Sequence, residues 1–297
     1  MKKCNGSVLI SLLACALLAM VAATPLHVSA ATTPAMGVHA AKTKPMKRVQ
    51  PAASNLLYHG GPVVGSTTHT FAIFWEPVGT FVSPTYNSLI TRYFHDIGGS
   101  KLYHNDIQYR DSGGHFAKNS VFSGTFVDTA PYPANPLSDT QIQAEVSHAK
   151  SVNGWTSSID SAFFVFTARN ENICLTPSLC SFTAFCGYHN FFGSGTIYVV
   201  LPYTGTSLAG CGTPATPNHD IDADSTINIT SHEQNESATD PFLSAWFDLT
   251  GNEIGDRCNF VFGRILASGG DVVFNGHPYI VQKEWDNTKS RCVLAGP

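Results

Sequence analysis

Residues 231–240 read Ser-His-Glu-Gln-Asn-Glu-Ser-Ala-Thr-Asp, and no Lys or Arg occurs between Arg169 and Arg257. Within that base-free stretch lie Asp220, Asp222, Asp224, Glu233, Glu236, Asp240, Asp248, Glu253 and Asp256. Carboxylates gathered without a nearby cation have three fates: solvation, neutralisation by distant bases, or collection around a metal ion. Helix geometry favours the third. Side chains four apart share a face, so a helix over Ser225–Thr239 puts His232, Glu236 and Asp240 on one stripe. Glu233 then sits about 100° away, placed for a water on the ion. Asp224 or Ser225 is positioned to cap the start, and Pro241 limits the end. With only Ile227, Ile229 and Ala238 to bury, the helix is either solvated or turned toward a polar site.

The run His232-Glu233-x-x-Glu236 resembles the zincin helix H-E-x-x-H, in which two histidines bind zinc and the glutamate is the general base. Here Glu236 stands where the second histidine would be, and carboxylate oxygen is an acceptable zinc ligand. One imidazole with several carboxylates also suits calcium or manganese. Downstream, Asn252-Glu253-Ile254-Gly255-Asp256 resembles the N-E-x-x-x-D element of thermolysin-like gluzincins, one residue shorter. The resemblance implies Glu253 as third ligand, with Asp240 as its rival, Asp256 orienting His232, and Glu233 activating a bound water. Asp220-x-Asp222-x-Asp224 begins like an EF-hand loop. Ser225 and Ser231 stand where the loop needs Gly and Glu, which leaves only a simpler calcium site there.

The chain has 297 residues, with 17 Lys and Arg against 21 Asp and Glu. Lys2 and Lys3 precede an apolar run from Val8 to Ala23, and Val28-Ser29-Ala30 forms a cleavage site, so residues 1–30 read as a secretory signal. Residues 31–54 carry Lys42, Lys44, Lys47 and Arg48 among Ala, Thr and Pro, and read as a disordered basic linker. No acid precedes Val49. Residues 55–297 therefore form an acidic single domain, whose charge argues against nucleic-acid binding. No other segment is long enough to span a membrane. Cys174, Cys180, Cys186, Cys211, Cys258 and Cys292 remain after signal removal, and an even count in an exported chain implies disulfides. Pairing sequence neighbours gives Cys174–Cys180, Cys186–Cys211 and Cys258–Cys292.

Apolar spacing predicts a strand over Thr70–Trp75, a helix over Pro84–Ile97, a strand over Val121–Asp128, and a helix opened by the capping box Ser138-x-x-Gln141. Strands follow at Ala162–Thr167 and Thr196–Leu201, with a cysteine-rich loop between them. Short strands are expected at Phe260–Phe262, Val272–Phe274 and Tyr279–Val281. This order gives a mixed α+β domain. In a zincin-like arrangement Ile197–Tyr203 is the edge strand, able to pair with an extended peptide substrate.

Leu56-Leu57-Tyr58-His59-Gly60-Gly61-Pro62-Val63, followed by Thr70-Phe71-Ala72-Ile73-Phe74-Trp75, resembles the opening of the plant phosphate-induced protein (EXORDIUM-like) family. Ser231-His232-Glu233, Thr239-Asp240-Pro241 and Tyr279-Ile280-Val281-Gln282-Lys283-Glu284-Trp285 are similar to later segments of that family. The resemblance covers Leu56 to Trp285 in islands. It implies a secreted protein of the cell wall or matrix, and with it a non-catalytic alternative in which any metal is structural. Glu236, the acidic loop and the cysteine pattern depart from the plant form.

Overall fold

Phe71, Ile73 and Trp75 point to one face of the central sheet, while Ala72 and Phe74 point to the other. A strand apolar on both faces belongs between two layers of helix. The computed structural model, which describes residues 37–42 and 55–297, has this arrangement. The signal expected at 1–30 lies outside the described residues, as does the linker apart from 37–42.

Six strands form the main sheet: β1 (Val38–Ala40), β2 (Thr67–Trp75), β3 (Asn119–Asp128), β4 (Ser161–Thr167), β5 (Phe185–Phe192) and β6 (Thr196–Leu201). Their spatial order is β1-β5-β6-β4-β2-β3. The block β6, β4, β2, β3 is parallel, β5 runs antiparallel to β6, and β1 runs antiparallel to β5. Helices α1 (Tyr86–Ile97), α2 (Asp139–Asn153) and α3 (Ile221–Thr239) complete the layers. α1 and α3 pack on one face through Tyr86, Ile90, Phe94, Ile227 and Ile229. α2 covers the other through Ile142, Val146 and Ala149. The result is a mixed α+β fold with a mixed sheet.

Sequence and structure agree on both early helices and on the capping box. Ser138 accepts from the Gln141 N–H, and the Gln141 side chain accepts in return. All three disulfides join the expected neighbours. Several expectations need correction. The edge strand expected at Ile197–Tyr203 is β6, Thr196–Leu201, which lies inside the sheet between β5 and β4. The cysteine-rich loop contains β5, which lies between β6 and β1. β1 falls in the segment read as a linker and pairs with β5. The late strand is His277–Tyr279, two residues earlier than expected, and Phe260–Phe262 is not a strand.

α3 begins at Ile221, earlier than expected, because Asp220 and neither Asp224 nor Ser225 supplies the cap, accepting from the Ala223 N–H. Asp222 and Asp224 then fall in the first turn, where the helix dipole favours anions. The solvated alternative for α3 does not hold: every residue from Asp222 to Thr239 is buried. A polar helix can sit inside only if its side chains find partners. Gln234 bonds Ser120 and Tyr93, Asn228 accepts from the Gln282 N–H, and Thr226 bonds Tyr86 and Thr204. Thr230, Asn235 and Thr239 bond carbonyls one turn back.

Candidate metal centre

Two strands and a turn converge on the middle of α3. β5 brings His189, β1 brings His39, and the turn at 253–256 brings Glu253 and Asp256. The buried face of α3 itself contributes His232, Glu233 and Glu236. The side chains of His189, His232, Glu233, Glu236 and Glu253 have no exposed surface, and Asp256 is 12% exposed. The ion pairs of the carboxylates Glu233, Glu236, Glu253 and Asp256 are with histidine, at 2.9 Å for His232 Nε2 to Glu236 Oε1, 3.2 Å for His189 Nδ1 to Glu233 Oε2, and 3.6–3.7 Å for the rest.

Three overlapping groups bring one potential ligand atom per residue within 4.8 Å of one another: His189, Glu236 and Glu253; His232, Glu236 and Asp256; and His39, His232 and Glu233. Glu236 belongs to two of them. Its Oε1 accepts the Asp256 N–H and lies beside His232, while Oε2 faces His189. Glu236 Oε2 and Glu253 Oε1 are buried without a well-formed hydrogen bond. Such orphaned polar atoms are costly unless something further binds them.

The two helix-facing histidines differ in what their second nitrogen meets. His189 Nε2 approaches the Asp240 carbonyl at 3.2 Å. A carbonyl only accepts, so the proton sits on Nε2 and Nδ1 is bare toward Glu233 and Glu236. This is the usual way a protein prepares a histidine ligand. His232 Nδ1 meets the Gln282 amide nitrogen at 2.7 Å. That amide is oriented by the backbone, since its oxygen accepts from Phe260 N–H and its nitrogen donates to the Gly255 carbonyl. A neutral His232 therefore carries its proton on Nε2, toward Glu236. Gly255 lies flat under the ring: a Cβ there would meet His232 Nδ1 at 2.6 Å.

Burial pushes the Glu233 carboxyl up to about 8 and Asp256 to about 8. Burial also drives Glu236 and Glu253 well above the ordinary range, and the neighbouring carboxylates add to both. The same burial holds His39 and His189 below the usual imidazole value. Without an added cation, burial at neutral pH favours protons on these acids and leaves His39 and His189 neutral.

Of the residues singled out in the sequence, His232, Glu233, Glu236, Glu253 and Asp256 come together. Asp240 lies beside Glu253 and His189 at the end of α3. Its Oδ1 accepts from the N–H groups of Ser244 and Ala245, both at 2.6 Å, forming the turn that closes α3, and burial raises its carboxyl to about 6. It belongs to none of the three groups. Asp220, Asp222 and Asp224 diverge to separate donors: Ser83 and Thr85, Arg169 and Tyr203, Thr216 and Asn218. His189 and His39 escaped sequence reading. A signal for His189 existed: Phe185–Phe192 and Thr196–Leu201 flank Gly193-Ser194-Gly195, the pattern of a hairpin.

No protein-family profile and no solved structure matches the chain. Among curated proteins it is similar to Protein EXORDIUM-like 3 of Arabidopsis thaliana, 27% identical over 145 residues, covering 36% of this chain and 42% of that protein. The match spans less than half of that relative's length. No helix among the described residues is long and apolar enough to cross a membrane. The similarity supports the resemblance to the EXORDIUM-like family, and with the three disulfides it fits an extracellular protein.

Proposed function

We propose that this is an extracellular metalloprotein whose buried centre holds one divalent cation on His189, Glu236 and Glu253, with Glu233 beside them. The observation that carries this reading is the convergence of unpartnered, fully buried Glu236 Oε2 and Glu253 Oε1 on His189, the first 3.7 Å from Nδ1 and the second 3.6 Å from Nε2. His232 then holds Glu236 from the other side, as a positioning residue. Imidazole among the donors favours zinc over calcium, which takes six to eight oxygens. Bound metal supplies positive charge that lets the buried carboxylates ionise, and it polarises whatever oxygen reaches it.

Metal-dependent peptide hydrolysis with Glu233 as base is the second form of this reading, favoured by the H-E-x-x-E order. In the conformation described, Glu233 Oε1 accepts from the His39 N–H and Oε2 faces His189. Hydrolysis therefore requires the His39 strand to leave. Elemental analysis of the purified protein tests the proposal: about one equivalent of zinc is expected, falling severalfold in His189→Ala and Glu236→Gln. Full metal content in both variants would overturn it. Glu233→Gln then separates the two forms, abolishing cleavage of a denatured protein substrate in one and changing nothing measurable in the other.

A further inference from the structure

β1 is three residues long and is attached to the fold differently from the other strands of the sheet. It pairs antiparallel with the outer edge of β5, with Val38 opposite Tyr188 and His39 opposite Gly187. The His189 N–H donates to the Gly37 carbonyl, and the Ala41 N–H to the Ala184 carbonyl. On its inner side two backbone N–H groups donate to the centre: Gly37 to Glu253 Oε2 at 2.9 Å and His39 to Glu233 Oε1 at 3.1 Å. The His39 ring lies over His232 at 4.0 Å between centroids and against Phe260 at 4.8 Å.

These contacts are mostly made by the main chain, the interaction by which any extended peptide adds to a sheet edge. The side chains from 37 to 42 are small except for His39 and Lys42; Ala41 reaches the main core, Val38 packs against the cluster under α2, and Lys42 donates to the Gly212 carbonyl and lies over the Phe260 ring. The buried His39 ring has the Asn259 side chain as its polar neighbour. Gly37 holds φ +56° where a Cβ would meet the His189 carbonyl oxygen at 2.5 Å, so the backbone approaches β5 as closely as a chain can.

We propose that the outer edge of β5 is a docking groove for an extended peptide strand, and that Gly37–Lys42 occupies it in cis as a displaceable plug over the histidine–carboxylate cluster. The groove selects a small or no side chain at the position of Gly37, a flat ring at that of His39, and a main-chain N–H at both. Displacement frees Glu233 Oε1 and Glu253 Oε2 and opens the cluster along the strand's path. This inference stands on the pairing of β1 and does not require the metal reading.

The test uses the mature chain, with residues 46–52 replaced by the recognition sequence of a site-specific protease. After folding and cutting, the plug is held only by its own contacts. The probe is fluorescein-labelled Gly-Val-His-Ala-Ala-Lys, the sequence of residues 37–42. Expected is exchange of the cut fragment for one equivalent of probe, with unchanged far-UV circular dichroism. The same peptide carrying His39→Pro, which lacks the N–H given to Glu233, should bind at least tenfold more weakly. A fragment that stays bound through gel filtration without exchange, or a chain that unfolds on cutting, would make β1 a fixed part of the core and overturn the proposal. Loss of the fragment without probe binding would overturn it too. Metal content measured in the same samples keeps the two readings apart: exchange without metal leaves the groove standing and removes the cation.

Discussion

His189 and His232 both touch Glu236, yet their outer nitrogens meet opposite partners, a carbonyl in one case and an amide N–H in the other. This asymmetry makes His189→Ala and His232→Ala unequal. The first is expected to lose most of the metal. The second should keep it with weaker affinity, by roughly 10–100-fold, the usual effect of removing a residue that orients a ligand. Competition with a chromogenic chelator measures both. Gly255 is similarly constrained: the Cβ of Gly255→Ala would sit inside contact distance of the His232 ring. Overpacking of this kind costs about 1–3 kcal/mol, readable as a shifted denaturant midpoint. The residues in α3 were legible because H-E-x-x-E is a local pattern. His189 and His39 were not, because they reach the cluster only through sheet pairing over long sequence separations.

At the scale of elements, α2 offers a test far from the cluster. Glu145, on its sheet-facing side, is 5% exposed, and burial with the nearby Asp128 pushes its carboxyl up to about 8. In the unfolded chain it ionises near the ordinary value of about 4.3. The folded state thus keeps a proton that the unfolded state has lost. The stability this gives is complete below about pH 4 and is lost as the pH rises through 8. Melting temperature should decline between pH 5 and 8.5, and Glu145→Gln should flatten that decline. Ser138→Ala, at the cap of the same helix, is expected to cost about 1 kcal/mol, with no effect on metal content. The disulfide Cys186–Cys211 ties the start of β5 to the segment leading into α3 across 25 residues. Replacing both cysteines with serine should cost about 2–5 kcal/mol. Metal retention should fall with it, because β5 carries His189. Elements with regular apolar spacing were read correctly from sequence: α1, α2, β2 and β4. α3 was located but its environment was not, because a helix without an apolar stripe gives no sign of which side faces inward. β1 was missed because three residues among Ala, Lys and Thr carry no pattern.

For the molecule as a whole, the concentration of acids in one base-free stretch became an interior feature. The domain gathers ionisable acids around a single point, so removal of the proposed cation should be felt globally. Chelation is expected to lower the melting temperature most at pH 8, where the buried carboxylates Glu233 and Asp256 begin to ionise, and least near pH 5, where they hold protons. Equal loss at both pH values would show that the ion sits elsewhere.

The six-residue segment along β5 also bears on solubility. A sheet whose last long strand ends in open N–H and C=O groups is a template for another copy of itself. Gly37–Lys42 shields that border from self-association, so a preparation whose segment has been cut and washed away should form higher-order species in light scattering, and the free hexapeptide should suppress them.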